Sequence, residues 1–167
     1  MHEVRTESKT VTVAAPLAAV WSAATDLARA GETMSHLVDI EVLTPGPFGK
    51  GTRWREVRRY AAHTAGRTMT VESVGRNEYV ACGALGTTRC QLAYHLHALG
   101  PARTSVILDL HLEGSFAAGS TTHRHLPRPL SPEAVFIRLL GPDLVALARA
   151  AERDASSRGD LQPNDPG

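Results

Sequence analysis

The chain has 167 residues with 18 basic and 17 acidic side chains, so its formal net charge is only +1. A charge this small provides no general attraction for nucleic acid or an anionic membrane, and neither is expected as a partner. Hydrophobic residues make up 43% of the chain, which is typical of a globular domain with one hydrophobic core.

The first half of the chain alternates between strand and helix patterns. Residues 4–14 predict a strand, and Pro16 opens a helix because proline is tolerated at the first helical position. The apolar residues that follow recur at helical spacing: Leu17, Val20, Trp21, Ala24 and Leu27. Asp26 and Gly31 mark the change to a short second helix or a loop. Residues 37–44 predict a second strand, and the glycines and prolines of 45–51 predict a loop.

Five further strands are predicted at 52–60, 67–74, 78–85, 88–98 and 103–113. Short strands joined by tight turns indicate an antiparallel sheet of hairpins. Residues 115–131 match no period, and a connection of this length is typical of a lid or a disordered segment.

A last helix begins at Ser131-Pro132-Glu133, which supplies an N-cap, a proline at the first position and an acid in the first turn. Its apolar face comprises Phe136, Leu140, Leu144, Leu147 and Ala151. Gly141-Pro142 predicts a kink or a break in this helix. The pattern predicts one α+β domain over residues 1–155 and a mobile tail over 156–167.

Several segments carry a resemblance to a known superfamily: residues 11–21 with Thr25-Asp26, residues 49–55, Tyr94-His95-Leu96, and Leu139-Leu140-Gly141-Pro142 with the helix that follows. In their order and spacing, over about residues 10–152, they resemble the SRPBCC superfamily, which contains START domains and the polyketide cyclase/dehydrase family. The resemblance implies a helix-grip fold: a curved seven-stranded antiparallel sheet around a long C-terminal helix, with two short helices between strands 1 and 2. It also implies an internal cavity for a hydrophobic ligand and a role of the bacterial secondary-metabolism type. It transfers no reaction, because the family has no universal catalytic residue.

Two departures from the family pattern lie near the expected cavity mouth. The helix-to-strand segment at residues 32–35 lacks the usual aromatic side chain, and the 115–131 loop is longer than usual.

The third strand presents polar side chains to the predicted interior. Alternation places Trp54, Glu56, Arg58 and Tyr60 on one face and a nearly all-basic set on the other, which should face water. Glu56 and Arg58 are candidate catalytic residues: the pair could orient a carbonyl, and Glu56 could act as a general base if desolvation raises its pKa. Alternatively, the two charges pair with each other or reach solvent.

The sixth and seventh strands supply an apolar face with one hydroxyl. Tyr94 lies between Leu92 and Leu96, so its hydroxyl points into apolar space and needs a partner. That partner is the protein itself, a bound ligand or a forming oxyanion, which makes Tyr94 a third candidate catalytic residue. The predicted ligand-lining set is Trp54, Tyr60, Met69, Leu92, Leu96, Leu108, Leu110, Phe116, Phe136 and Leu140.

No metal or cofactor is expected. His95, His97, Asp109 and His111 fall on the outer face of the sheet, where a solvated surface explains them, and His123-x-His125 lies in the long loop. No phosphate-binding loop, dinucleotide fingerprint or serine-nucleophile motif is present. Cys82 and Cys90 are too few for a disulfide framework and predict reduced thiols in a cytoplasmic protein. The first ten residues lack a signal-peptide pattern, and no apolar run approaches the ~20 residues of a membrane span.

Three functions remain open at this point. The first is a carrier or sequestering protein for a polyketide-like or lipid-like molecule, present as a monomer or homodimer. The second is a cyclase or dehydratase that uses acid–base residues in the same cavity. The third is a protein-interaction module, which would need a large exposed apolar patch that the sequence does not indicate.

Overall fold

The computed structural model describes residues 3–114 and 130–159. Seven strands are present: β1 (Glu3–Val13), β2 (Leu37–Val42), β3 (Arg53–Tyr60), β4 (His63–Val74), β5 (Glu78–Leu85), β6 (Thr88–Gly100) and β7 (Arg103–Gly114). The helices are α1 (Leu17–Thr25), α2 (Ala30–Thr33) and α3 (Pro132–Gly159), with a 3₁₀ turn at Leu27–Arg29. The predicted order of elements is confirmed.

The strands form one antiparallel sheet in the spatial order β1-β7-β6-β5-β4-β3-β2. Its register shifts at three places, in β2 beside β3, in β4 beside β5 and in β6 beside β7. An extra residue on one strand bends that strand and increases its twist. The sheet therefore curves, and α3 packs in the curve against β1, β3, β4 and β7.

The core lies between the concave face of the sheet and α3. The inward side chains of β7 are fully buried, as the alternation predicted: Val106, Leu108, Leu110 and Leu112. The predicted apolar face of α3 is buried too: Phe136, Leu140, Leu144, Leu147 and Ala151. Small residues of α1, among them Ala19 and Ala23, allow that helix to approach α3 closely.

The β3–β4 hairpin is tighter than predicted. β4 begins at His63, four residues before the predicted start at 67, and His63 pairs with Tyr60. Ala61 takes a positive φ of 51° in the turn between them. Glycine or asparagine usually occupies such a position, and alanine seldom does. The sequence therefore has no residue that indicates this turn.

Gly141-Pro142 predicts a kink or a break in the last helix. No break is present, because α3 continues through Pro142. Proline removes the N–H that would bond the carbonyl of Arg138, but Arg138 is exposed and water can satisfy that carbonyl. At its start, the Ser131 hydroxyl accepts a hydrogen bond from the Ala134 N–H at 3.2 Å, which confirms the N-cap.

The end of α3 also differs from the sequence prediction. The helix continues through Gly159, so residues 156–159, expected to belong to a mobile tail, are helical. The rest of that tail, 160–167, and residues 115–129 of the predicted long loop lie outside the described residues. Among the described helices, none combines the length and apolar character that crossing a membrane requires.

Candidate functional site

The inward face of β3 carries charge into the core. Glu56 and Arg58 are 0% and 1% exposed. Glu56 lies between two guanidinium groups: Arg58 Nη1 donates to Oε2 at 2.9 Å, and Arg67 Nε donates to Oε1 at 2.6 Å. The Glu56–Arg58 pairing that the sequence analysis left open is present, and Arg67 on β4 is a third member of the cluster.

Asp143 joins this cluster from α3. Its Oδ1 accepts hydrogen bonds from Arg58 Nη2, from the Ser35 N–H at 2.8 Å and from the Ser35 hydroxyl at 2.6 Å. Arg58 Nε in turn donates to the Ser35 carbonyl at 2.9 Å. A strand, the last helix and the segment after α2 are therefore tied together by one set of buried hydrogen bonds.

Two arginines and two carboxylates balance the charge of this cluster, and the pKa of each acid responds differently. Burial alone would raise the pKa of Glu56, but Arg67 and Arg58 outweigh burial and lower it. Burial raises the pKa of Asp143, and its bonds to Arg58 and Ser35 offset only part of that effect. Glu56 is therefore a stable carboxylate at neutral pH, and it lacks the raised pKa on which its role as a general base depended.

Two buried donors of this region have no hydrogen-bond partner among the described residues: Nη1 of Arg67 and Nε1 of Trp54. The register pairs Glu56 with Arg67 and Trp54 with Met69, so Trp54 and Arg67 are diagonal neighbours on the inward face. The Arg67 guanidinium also lies 4.0 Å from the ring centre of Phe136 on α3. Unpaired buried donors are uncommon in folded proteins, so these two N–H groups favour an acceptor from a bound molecule or an ordered water.

Tyr94 belongs to an aromatic cluster beside the charged residues. Its ring stacks on Tyr79 with 5.0 Å between centroids, and Tyr79 packs edge-on against Phe48 at 4.9 Å. The part of the chain that the structure describes supplies this ring contact but no hydrogen bond for the Tyr94 hydroxyl. Burial, with a smaller contribution from Asp143, raises the pKa of Tyr94, so the hydroxyl stays protonated at neutral pH.

The predicted apolar lining forms part of the packed core. Eight of its members are buried: Trp54, Met69, Leu92, Leu96, Leu108, Leu110, Phe136 and Leu140. Tyr60 is half-buried, with the Arg138 guanidinium 5.6 Å from its ring centre. Phe116 lies outside the described residues. A folded core needs the same burial, so contact between these side chains and a ligand stays a prediction.

The main surface pockets of the described residues, of about 310 to 660 Å³, are not lined by Glu56, Arg58 or Tyr94, although Ser35 and Arg67 reach the lining of some. The internal cavity therefore also stays a prediction.

Solved structures resemble this architecture over nearly the whole chain. The Zhui aromatase/cyclase from Streptomyces sp. R1128 is 21% identical, with a TM-score of 0.67 over 94% of this chain and 96% of that one. A START superfamily protein from Mycobacterium smegmatis is 18% identical, with a TM-score of 0.64 over 92% and 98%. Norcoclaurine synthase from Thalictrum flavum is 13% identical, with a TM-score of 0.63 over 95% and 98%.

The chain has the START-like helix-grip fold. At these identities the likeness is one of fold alone. No family model and no curated protein matches the sequence.

The helix-grip core contains functional candidates that sequence reasoning missed. Arg67 lies two residues before Met69, so alternation on β4 could have placed it on the inward face. Asp143 lies three residues after Leu140 on the buried face of α3, and an acid on such a face needs a buried partner. No sequence pattern indicates a role for Ser35. Its N–H and its hydroxyl both donate hydrogen bonds to Asp143, and only the tertiary structure brings the two residues together.

His95 lies on the outer face of the helix-grip sheet, beside an acid of the neighbouring strand. His95 Nδ1 lies 3.0 Å from Glu78 Oε2, and His95 is partly exposed. No group of histidines, cysteines and acids within residues 3–114 and 130–159 is arranged to hold a metal ion. His123 and His125 lie outside these residues.

Proposed function

We propose that the protein binds a mostly apolar small molecule between the concave face of the sheet and α3, as a carrier or sequestering protein. The pair of unpaired donors, Arg67 Nη1 and Trp54 Nε1, is the observation that carries this proposal. Apolar side chains would supply most of the contact area, and a few polar groups would fix the orientation, as in small-molecule sites generally. The fold likeness to START and aromatase/cyclase structures supports a ligand of the lipid or polyketide kind.

The chemistry of the two donors defines one feature of the ligand. Guanidinium and indole N–H groups donate hydrogen bonds and cannot accept them, so the ligand must present an acceptor atom. Glu56 and Asp143 already balance the charges of Arg58 and Arg67. A further buried negative charge would lack a counterion, so a neutral carbonyl or hydroxyl oxygen fits better than a carboxylate.

A cyclase or dehydratase activity is the second candidate. It is favoured by the position of the Tyr94 hydroxyl, which lies beside the charged cluster and is protonated at neutral pH, so it can donate a hydrogen bond to a forming oxyanion. Two of the similar structures are an aromatase/cyclase and norcoclaurine synthase, which supports an enzymatic role for this fold. The lowered pKa of Glu56 argues against proton abstraction by that residue, and we therefore favour the carrier.

Native mass spectrometry of protein purified from its own host tests both candidates. A carrier retains a ligand that is chemically unchanged after incubation with the protein, whereas a cyclase or dehydratase converts it into a product that has lost water or into an isomer of equal mass, which fragmentation distinguishes. Protein that repeatedly purifies without any bound small molecule, and that binds no extract component, contradicts both.

The substitution Trp54→Phe tests the role of the donor pair. It removes one N–H while retaining an aromatic ring, and we expect affinity for the co-purified ligand to fall about two- to tenfold, the worth of one hydrogen bond. Trp21→Phe is the matched control, since Trp21 is the other tryptophan and lies on α1. Equal affinities in titration calorimetry for wild type and Trp54→Phe would refute the proposed contact.

A cytoplasmic location and a monomeric or homodimeric state complete the proposal. Cys82 and Cys90 are both free thiols, which fits a reducing compartment. The near-zero net charge supports the expectation that nucleic acid is not a partner.

A further inference from the structure

An outer groove runs between α3 and the edge strand β1. Its volume is about 660 Å³, and its aliphatic lining comprises Val11, Pro142, Leu144, Val145 and Ala146. Val145 is 46% exposed, so its side chain is accessible to a ligand in the groove. The groove differs from the interior site in its lining, which lacks Trp54, Glu56 and Arg67, although Ser35, which bonds Asp143, also lines it.

Two cations flank the outer groove from opposite sides. Lys9 lies on β1, Arg149 lies on α3, and both side chains are exposed. Neither forms an ion pair with an acid of the described residues. Glu152, three residues after Arg149, is bonded instead to the Ala14 N–H at 2.9 Å, and the groove has no acid in its lining.

We propose that the outer groove binds a free single-chain carboxylate amphiphile of the fatty-acid type. The alkyl chain lies along Val145 and its aliphatic neighbours, and the carboxylate lies between Lys9 and Arg149. A guanidinium can bind a carboxylate through two parallel hydrogen bonds, and the lysine stem covers apolar surface beside its charge. A groove bounded by a strand and a helix admits one chain, whereas a membrane would need a flat apolar face.

A fluorescent fatty acid, 11-(dansylamino)undecanoic acid, and its methyl ester provide the test. We expect the acid to bind more tightly than the ester. Lys9→Gln and Arg149→Gln should each weaken binding of the acid about two- to fivefold, as loss of an exposed ion pair does, and leave binding of the ester unchanged. Val145→Asp should weaken binding of both probes about tenfold or more, because it buries a carboxylate against an alkyl chain.

Matched variants away from the groove serve as controls. Val74→Asp alters an aliphatic residue of similar exposure, 40%, and Arg76→Gln removes an exposed cation; neither should change probe affinity. Trp54→Phe should also leave it unchanged, which separates this site from the interior one. The proposal is overturned if wild type does not bind the acid, if Val145→Asp behaves like Val74→Asp, or if Trp54→Phe weakens the probe as much as Val145→Asp does.

Discussion

The core encloses four charged side chains: Glu56, Arg58, Arg67 and Asp143. Removing a charge from water is costly, and only close pairing with good hydrogen bonds offsets that cost. Each carboxylate here accepts at least two hydrogen bonds, and Glu56 bridges both arginines. Loss of one member of the cluster would therefore leave an opposite charge buried and unpaired, which is costly.

Substitution of Asp143 should reveal this dependence. In Asp143→Leu the core keeps two arginines with one carboxylate, and we expect the free energy of unfolding to fall by about 3–5 kcal/mol, as for other broken buried pairs. Urea unfolding measures the change. The double variant Arg58→Met/Asp143→Leu removes one charge of each sign and should recover much of the loss; a single variant within 1 kcal/mol of wild type would contradict the argument.

The pH dependence of stability should also show that the pKa of Glu56 is lowered in the folded protein. Its pKa is lower in the folded protein than its ordinary value of 4.5, so its contribution is complete above pH 4.5 and is lost as the pH falls through the folded value. Wild type should exceed Glu56→Gln in stability most at pH 7, and the difference should shrink below pH 4.5. Asp143 has a raised pKa and therefore acts in the opposite direction, which Asp143→Asn would remove. A difference that stays constant between pH 7 and pH 3 would refute the lowered pKa of Glu56.

At the scale of elements, β4 and β5 approach closely at Gly83. A Cβ atom there would lie 2.2 Å from the Thr68 carbonyl oxygen and 2.6 Å from the Met69 sulfur. These atoms belong to the strand backbone and a buried side chain, so the sheet itself would have to move. Glycine at this position thus sets the separation of two strands beside the candidate site.

Gly83→Ala should therefore destabilise the protein by about 1–3 kcal/mol, the usual cost of overpacking. Gly66→Ala is the matched control within the same sheet, because its added Cβ would meet nothing closer than 3.6 Å. Thermal or urea unfolding distinguishes the two, and equal stabilities would show that β5 adjusts without strain.

At the scale of the whole molecule, hydrogen bonds join the N-terminal region of the chain to the last helix. Arg29, after α1, donates to Asp154 of α3 at 2.8 Å, and the Ala14 N–H at the end of β1 bonds Glu152 at 2.9 Å. The C-terminal half of α3 is thereby joined to elements near the N-terminus. These hydrogen bonds between distant parts of the sequence help to hold α3 against the sheet.

Truncation locates the end of the domain. Residues 156–159 are exposed, so a chain ending at Ala155 should differ in stability from a chain ending at Gly159 by less than about 0.5 kcal/mol. A chain ending at Ala151 also loses Glu152 and Asp154, and the hydrogen bond to Ala14 alone should cost at least about 0.5 kcal/mol. Equal stability of both truncations would exclude a structural role for these contacts.

The periodic elements could be predicted from the sequence because their signals are local. Alternation on β3 placed Trp54, Glu56 and Arg58 inside, and helical spacing identified the buried face of α3. Boundaries that depend on turns were less accurate: β4 starts earlier because Ala61 adopts a conformation for which the sequence has no marker. Helix α3 passes through Pro142, whose missing N–H would otherwise bond the carbonyl of Arg138, an exposed residue.

For the candidate site too, local sequence patterns predicted some features and the tertiary structure decided the others. The sequence by itself determined the antiparallel sheet, the long helix and the inward direction of Trp54, Glu56 and Arg58, because side-chain direction follows from backbone period. Only the tertiary structure decided their electrostatic state. Arg67, Asp143 and Ser35 reach Glu56 and Arg58 from other elements of the fold. These contacts make Glu56 a paired carboxylate with a lowered pKa. The pKa depends on burial and on opposite charges from residues that are distant in the sequence, so spacing along the chain does not predict it.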